Sequence, residues 1–139
     1  MPSSSEAHGK DWERDFVALA QESGYSARRV SGDRAHDAVV NGLKVQCKSI
    51  TYERKGTVRI GKSYGKGTRR YRRSDFDVLA LNFRGTVFLI PAASACGVEQ
   101  RWPQSIRLSR NWRYRNKWDV FDRGTQIPVE HQRSLFEVI

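Results

Sequence analysis

The sequence predicts a single α/β domain with a central mixed sheet, and three observations lead to that prediction. The length of 139 residues suits one domain with a modest core. Residues 5–23 have the apolar periodicity of a helix that lies against a core. An Asn-Gly pair at Asn41 and Gly42 is a strong hairpin signal, and residues 76–82 and 86–91 are predicted as two later strands.

The first element is the helix over residues 5–23. Its core-facing positions have the spacing i, i+4, i+7 and i+8, and they are Trp12, Phe16, Leu19, Ala20 and Ser23. Glu13 is one step round from Trp12 and shares its side with Val17 and Ala20, so it lies at the margin of the buried stripe. A carboxylate in that position needs a partner or a functional role. Gly24 then ends the helix, and residues 25–31 form the first strand.

The hairpin that follows sorts its residues onto two faces. A type I′ turn at Asn41 and Gly42 places Val40 opposite Leu43, and Asp37 opposite Gln46. One face is apolar and consists of Ala38, Val40, Leu43, Val45 and Cys47. The other is the polar face of a half-buried sheet and carries Asp37, Lys44, Gln46 and Lys48, interrupted by Val39.

This polar group has two interpretations. A carboxylate can bind a hard divalent cation such as Mg²⁺, and a neighbouring lysine can stabilise a developing anion. The alternative is a hairpin with a solvated polar face. The second acid, Glu13, favours the catalytic interpretation.

These motifs together resemble the PD-(D/E)XK nuclease superfamily. The segment from Gly9 to Glu13, the pair Gly24-Tyr25, then Asp37, then Gln46-Cys47-Lys48 arrive in the order of that pattern. The resemblance covers residues 9–91 and extends to the strands at 76–82 and 86–91. It is similar to the branch that includes a small homing endonuclease encoded by a group I intron, which also has Gln where most members have Glu.

The resemblance implies a restriction-endonuclease-like domain with an αβββαβ-type core and helices on the faces of its sheet. It assigns catalytic roles to Glu13, Asp37, Gln46 and Lys48. It makes Asp37 the central Mg²⁺ ligand, with Mn²⁺ as a substitute. The Cys47 backbone carbonyl and Glu13 would assist, and the Gln46 amide oxygen is a further candidate ligand. Gln46 departs from the superfamily pattern because an amide cannot accept a proton.

The charge predicts a polyanionic partner. There are 25 Lys and Arg residues against 15 Asp and Glu, a net charge of +10. Residues 54–73 contain nine basic residues and no acid, and they are predicted to form a loop that becomes ordered against DNA phosphates. A solvated surface loop is the alternative. The predicted DNA contacts are Arg54, Lys55, Arg59, Lys62, Tyr64, Lys66, Arg69, Arg70, Arg72, Arg73, Arg113 and Arg115.

One motif in this stretch is rejected. Residues 56–63 match the nucleotide-binding pattern G-x-x-x-x-G-K-[ST], but residues 57–60 have the composition of a strand and no helix start follows. We therefore predict no nucleotide cofactor.

The C-terminal extension, residues 92–139, carries weaker signals. A short helical turn is expected at 92–97 and an edge strand at 105–110. The tryptophans of 111–118 are expected to be structural, and the apolar tail 135–139 is expected to cover an interface or the domain base.

These observations predict metal-dependent cleavage of double-stranded DNA. Residues 1–139 are expected to form one nuclease domain that carries out this reaction. Site-specific, homing-type cleavage is the first choice. A Holliday-junction resolvase and a DNA-binding protein that no longer cuts are the alternatives. Cleavage of both strands implies a homodimer or homotetramer. No stretch is long and apolar enough to cross a membrane, and the two cysteines suit a reducing cytoplasm.

Overall fold

The computed structural model describes residues 4–30, 36–64 and 67–122. It contains two α-helices, α1 (Ser4–Glu22) and α2 (Ala92–Ala95). Short 3₁₀ helices lie at Arg73–Asp75, Leu108–Tyr114 and Trp118–Phe121. The strands are β1 (Ala27–Arg29), β2 (Ala38–Val40), β3 (Leu43–Ile50), β4 (Thr57–Arg59), β5 (Lys62–Tyr64), β6 (Gly67–Arg69), β7 (Val78–Phe83), β8 (Thr86–Pro91) and β9 (Ser105–Arg107).

Five of these strands form a mixed central sheet in the order β1-β2-β3-β7-β8. β3 and β7 are parallel, and every other neighbouring pair is antiparallel. Asn41 and Gly42 have φ values of 50° and 85°, as a type I′ turn requires. The β2–β3 register pairs Ala38 with Val45 and Val40 with Leu43, which confirms the predicted hairpin.

The helix α1 covers one face of this sheet. Trp12, Phe16, Val17 and Ala20 pack there against the apolar residues of β2 and β3. The Trp12 indole Nε1 donates a hydrogen bond of 3.0 Å to the Ala80 carbonyl, which fixes the helix over the middle of the sheet. The predicted core-facing stripe of α1 is wrong at Leu19, which is exposed. Val17 is buried in its place.

The opposite face of the sheet is also buried over β7 and β8. The polar face of the predicted hairpin stays partly exposed, except at Gln46. Leu79, Leu81, Phe88 and Ile90 form a second core there with residues that lie later in the chain. The pair β4–β9 and the buried Trp102 cover this core. The polar side chains of β3 therefore sit at the edge of an apolar layer.

The connection from β3 to the parallel strand β7 differs from the αβββαβ pattern. Its described residues form β4, the β5–β6 hairpin and one 3₁₀ turn, and contain no α-helix. Nine residues of the basic stretch 54–73 therefore lie in paired strands where a loop was expected. Lys62–Tyr64 is a strand rather than the start of a helix, which agrees with rejecting the nucleotide-binding motif.

The C-terminal segment wraps back onto the domain. The predicted short helix and edge strand are confirmed as α2 and β9. Trp118 stacks on Phe16 with ring centroids 5.7 Å apart, as expected for a structural tryptophan. Trp112 is half exposed, which differs from that expectation. The tail 135–139 lies outside the described residues.

Candidate active site

Asp37 occupies the point where β2 ends. Its backbone N–H donates to the carbonyl of Val45, the residue that pairs with Ala38, at 2.8 Å, so the regular ladder ends here. Its carboxylate then accepts a hydrogen bond of 2.9 Å from the Cys47 backbone N–H. The side chain thus takes the place that the backbone of β2 would have held opposite β3. The hairpin therefore brings a carboxylate to the point where β2 ends beside β3, which we call the sheet edge.

Glu13 approaches the same point from α1. Its side chain is only 19% exposed and is hydrogen-bonded with that of Asp37. The Arg29 guanidinium on β1 lies 3.9 Å from the Glu13 carboxylate. The prediction that Glu13 lies at the margin of the helix stripe is confirmed, and its partners are now defined. Sequence reasoning missed Arg29, which carries no motif.

The electrostatic environment of Asp37 is a balance of opposing effects. Burial raises the pKa of the Asp37 carboxyl above its usual range and outweighs all the other influences. The Cys47 N–H, the hydrogen bond with Glu13 and the charges of Lys48 and His36 act in the opposite direction. Two acids side by side in a partly buried place favour a shared proton or a cation. The arrangement is therefore one that a positive ion would stabilise.

Cys47 contributes its backbone to this place rather than its thiol. Burial raises the pKa of the Cys47 thiol well above its usual value, and the charges of Asp37 and Glu13 raise it further. The thiol lies on the α1 face within the apolar core. Because the N–H and C=O of one strand residue point to the same side, the Cys47 carbonyl lies on the same edge as Asp37.

Gln46 is buried, with 8% of its surface exposed, and it is the only buried polar residue in the described part of the chain. Its amide Nε2 lies 3.5 Å from the Cys47 carbonyl, at the outer limit for a hydrogen bond. Turning the amide by 180° would bring its oxygen beside that carbonyl, and two oxygens side by side suit a cation. Gln46 therefore supplies either a weak donor or an oxygen.

Lys48 completes the group from the other face of the sheet. Its ammonium lies 5.4 Å from the centre of the Tyr71 ring, within the range of a cation–π contact. The charge of Lys48 acts to lower the pKa of Asp37, so the two side chains are close enough to interact electrostatically. Burial and the charges of Asp37 and Asp75 raise the pKa of Tyr71 to about 12. Sequence reasoning missed Tyr71, and its only signal was a tyrosine flanked by arginines.

The predicted DNA contacts fall into three groups. Most of those with described side chains are exposed, namely Arg54, Lys55, Arg59, Arg69, Arg72, Arg113 and Arg115. Arg73 and Arg70 are partly buried, and Arg70 is used internally, since its guanidinium donates to the Trp102 carbonyl at 2.9 Å and pairs with Glu99. The side chains of Lys62, Tyr64 and Lys66 lie outside the described part of the chain.

Other predicted features have definite places. Asp77 accepts a hydrogen bond of 2.8 Å from the Lys44 backbone N–H, and Asp75 accepts one of 2.8 Å from the Arg72 N–H. Both carboxylates therefore serve to hold backbone N–H groups in place. Arg115 lies over the Trp112 ring at 3.8 Å, so this arginine and the exposed tryptophan form one surface feature.

The donor set at the sheet edge suits a hard cation. Within residues 4–30, 36–64 and 67–122, no three His, Cys, Asp or Glu side chains are grouped as a metal site. The available ligands are two carboxylates, one backbone carbonyl and one amide. All of them are oxygen donors of the kind that Mg²⁺ prefers, while it keeps several waters. The residues present therefore fit the predicted ion.

Comparisons with known proteins bear on the fold. No protein-family model and no curated protein matches this chain. A bacterial homing endonuclease, I-Ssp6803I, has a similar structure, with a TM-score of 0.65 and 22% identity over 86% of this chain and 93% of that chain. Archaeoglobus fulgidus Hjc, a Holliday junction resolvase from an archaeal hyperthermophile, has a TM-score of 0.52 and 18% identity over 75% of this chain and 87% of that one.

These similarities confirm the predicted fold class. The chain has a mixed α/β fold with a five-stranded central sheet, which is that of a single restriction-endonuclease-like domain. The described helices include none that could span a membrane.

Proposed function

We propose that this protein is a Mg²⁺-dependent DNA endonuclease that hydrolyses phosphodiester bonds. The observation that carries the proposal is the meeting of Glu13 and Asp37 at the end of β2, with Lys48 acting on the same carboxylate. Two acids and a lysine around one sheet edge can hold a cation and a phosphate group together. The shared fold with two structures described as a homing endonuclease and a resolvase supports a nuclease.

Asp37 and Glu13 would hold the ion, together with the Cys47 carbonyl and the Gln46 amide oxygen. When bound, Mg²⁺ supplies Lewis-acid stabilisation of the charge on the phosphate group. Lys48 would orient the attacking water and stabilise the charge that develops on the phosphate oxygens. The Lys48 ammonium is positioned by its contact with the Tyr71 ring and lies near the Asp37 carboxylate. Gln46 cannot accept a proton, so it acts only as an oxygen donor or a positioning group.

The finer details of the reaction belong to the same proposal. Attack on phosphorus would leave 5′-phosphate and 3′-hydroxyl ends, as the resemblance implies. We propose site-specific cleavage of double-stranded DNA by a homodimer or homotetramer, because one such site cuts one strand. The exposed arginines and lysines of 54–73, with Arg113 and Arg115, would contact phosphates. The two described cysteines are buried free thiols, which suits action in the cytoplasm.

Two other functions have specific support. The structural similarity to a Holliday junction resolvase favours a branched DNA substrate as the second candidate. A DNA-binding protein that does not cut is the third candidate, because Gln46 removes one negative charge from the ion site. All three bind DNA with a strong salt dependence, so binding alone does not separate them.

The test compares the wild-type protein with Lys48→Ala and with Lys117→Ala, a control that removes the same charge from an exposed surface position. Each is incubated with supercoiled plasmid, a random-sequence duplex library and a four-way junction, in Mg²⁺ or in EDTA. We expect Mg²⁺-dependent cleavage by the wild-type and control proteins, and none by Lys48→Ala. The preferred substrate separates duplex cleavage from junction cleavage.

The opposite result is equally definite. If no substrate is cut, while all three proteins bind DNA equally well in EDTA, the endonuclease proposal fails and the non-cleaving function replaces it.

A further inference from the structure

A cavity of about 360 Å³ opens at the surface beside the second core. Its lining residues come from two segments that are distant in sequence, and they are Arg72, Arg73, Ser74, Gln100 and Arg101. Three of these five residues carry a guanidinium group. Arginine presents planar, forked donors that match the oxygens of a phosphate group in bidentate geometry. The composition of the cavity therefore favours an oxyanion.

The two walls of this arginine cavity are held together by the backbone. The Trp102 N–H donates to the Tyr71 carbonyl at 2.8 Å, and the Arg73 N–H donates to the Gln100 carbonyl at 2.9 Å. Arg72 and Arg101 form a β-bridge between these two bonds. The Arg70 guanidinium also donates a hydrogen bond to the Trp102 carbonyl. The positions of the three arginine backbones are therefore fixed before any ligand arrives.

Two carboxylates of neighbouring residues already have partners of their own. Asp75 accepts a hydrogen bond from the Arg72 backbone N–H, and Glu99 pairs with Arg70. Within the described part of the chain, the ion pairs found do not include the guanidiniums of Arg72, Arg73 or Arg101. Three like charges around one concave surface raise the local positive potential and attract an anion.

The cavity is connected to the candidate active site through two contacts. The Lys44 ammonium donates a hydrogen bond to the Ser74 carbonyl, which links the cavity wall to the polar face of β3. Tyr71, which adjoins Arg72, lies against the Lys48 ammonium. Both contacts involve the side of the sheet that carries Lys48. An anion in the cavity would therefore lie on the same side of the protein as the reacting phosphate.

We propose that the arginine cavity binds a backbone phosphate of the DNA other than the one that is cut. This inference rests on the proposed endonuclease function and adds an anchoring site to it. A phosphate held in the cavity fixes the position of the strand relative to Glu13, Asp37 and Lys48. Such contacts position the nucleic acid and carry no sequence information themselves.

The test is a binding measurement that does not depend on catalysis. Fluorescence anisotropy follows a random-sequence 30-base-pair duplex in EDTA over a series of NaCl concentrations. The variant combines Arg72→Gln, Arg73→Gln and Arg101→Gln. The control combines Arg28→Gln, Arg107→Gln and Arg110→Gln, which removes the same charge from three exposed positions outside the cavity.

We expect the cavity variant to bind at least tenfold more weakly than the control variant at 0.1 M NaCl. The slope of log K against log[NaCl] should become shallower by about 1, the value for one phosphate contact. If the control variant loses as much affinity and slope as the cavity variant, only total charge matters and the inference is overturned.

Further measurements keep the inference separate from folding and from the proposed function. Circular dichroism reports whether the triple variant folds. If the triple variant does not fold, the single variant Arg101→Gln, at an exposed position, is compared with Arg107→Gln. We expect Arg101→Gln to bind the duplex about threefold more weakly than Arg107→Gln. Equal binding by these two single variants overturns the inference. If the wild-type protein neither binds nor cuts DNA, the proposed function fails as well. If it cuts plasmid normally and the two triple variants bind alike, only the arginine cavity is refuted.

Discussion

Replacing Asp37 with asparagine tests the site with the least disturbance to the fold. The change removes one negative charge beside Glu13 and keeps the shape of the side chain. The asparagine oxygen can still accept the hydrogen bond that the Cys47 N–H donates at 2.9 Å. The ladder between β2 and β3 should therefore end as it does in the wild-type protein, and only the charge of the ion site changes.

Two opposing effects set the stability of Asp37→Asn. A hydrogen bond to a charged acceptor contributes about 1 kcal/mol more than one to a neutral acceptor, so the variant loses roughly that amount. The variant gains because it no longer buries a charge that the folded protein disfavours, as the raised pKa of Asp37 shows. The free energy of unfolding without Mg²⁺ should then change by less than about 1 kcal/mol, or less than about 5 °C in Tm.

The same raised pKa fixes the sign of the pH dependence. Because Asp37 binds its proton more tightly when the protein is folded, the wild-type protein gains stability from this group as the pH falls from neutral toward 4. The asparagine variant lacks that gain, so acidification should favour the wild-type protein in a comparison of the two.

Mg²⁺ separates the variant from the wild-type protein. At an ion concentration ten times the Kd, binding stabilises the wild-type protein by about 1.4 kcal/mol, and the variant should lose most of this increment. Cleavage should fall at least a thousandfold, which corresponds to about 4 kcal/mol of transition-state stabilisation. The assays are thermal unfolding with and without Mg²⁺, and the rate of plasmid cleavage.

Asp77→Asn is the matched control. Its carboxylate also accepts a backbone N–H from β3, that of Lys44 at 2.8 Å, and it is also partly buried. We expect it to keep the Mg²⁺ stabilisation and the cleavage rate. Cleavage by Asp37→Asn within tenfold of the control would refute the assignment of Asp37 to the ion site.

Three further predictions concern the fold. In urea unfolding, Trp12→Phe should destabilise the protein by about 1–2 kcal/mol more than Trp102→Phe. The Trp12 indole donates a hydrogen bond to the Ala80 carbonyl, whereas the buried Trp102 Nε1 has no partner in the described structure. Equal costs would contradict this. Gly42→Ala should cost about 1 kcal/mol or more in the same assay, since Gly42 has a φ of 85°. Burial raises the pKa of Tyr71 to about 12, so its protonated form contributes about 3 kcal/mol to the free energy of unfolding. This stabilisation should be complete below pH 10 and lost between pH 10 and 12, and Tyr71→Phe should flatten that decline in alkaline unfolding curves.

The parts of the site that the sequence predicts depend on local geometry. The turn at Asn41 and Gly42 sets the register of the hairpin, and the register places Asp37. Helix periodicity places Glu13 at the margin of the buried stripe. Both rules act over a few residues and need no knowledge of the rest of the chain.

The features that were not predicted depend on contacts between distant segments. The second core exists because β9 pairs with β4, and Trp102 lies beside Phe76 with rings 4.5 Å apart. No local pattern in β3 shows that this face of the sheet will be covered in this way. The contacts of Tyr71 with Lys48, and of Arg70 with the Trp102 carbonyl, also join segments that are distant in sequence. The prediction that Arg70 contacts DNA was based on charge composition alone. In the structure, Arg70 makes internal contacts with the Trp102 carbonyl and Glu99.

The location of the candidate site follows from the end of a strand ladder. β2 stops after three residues while β3 continues for eight, so the Cys47 N–H and carbonyl lose their backbone partners on that side. Buried backbone groups need partners, and the Asp37 carboxylate satisfies the N–H. Among the described residues, the carbonyl has only the long contact from Gln46, at 3.5 Å, so it has room for a bound cation as a further partner. The same interruption that ends the ladder thus supplies an acid and an oxygen at one edge, where Glu13 and Lys48 can reach them from opposite faces of the sheet.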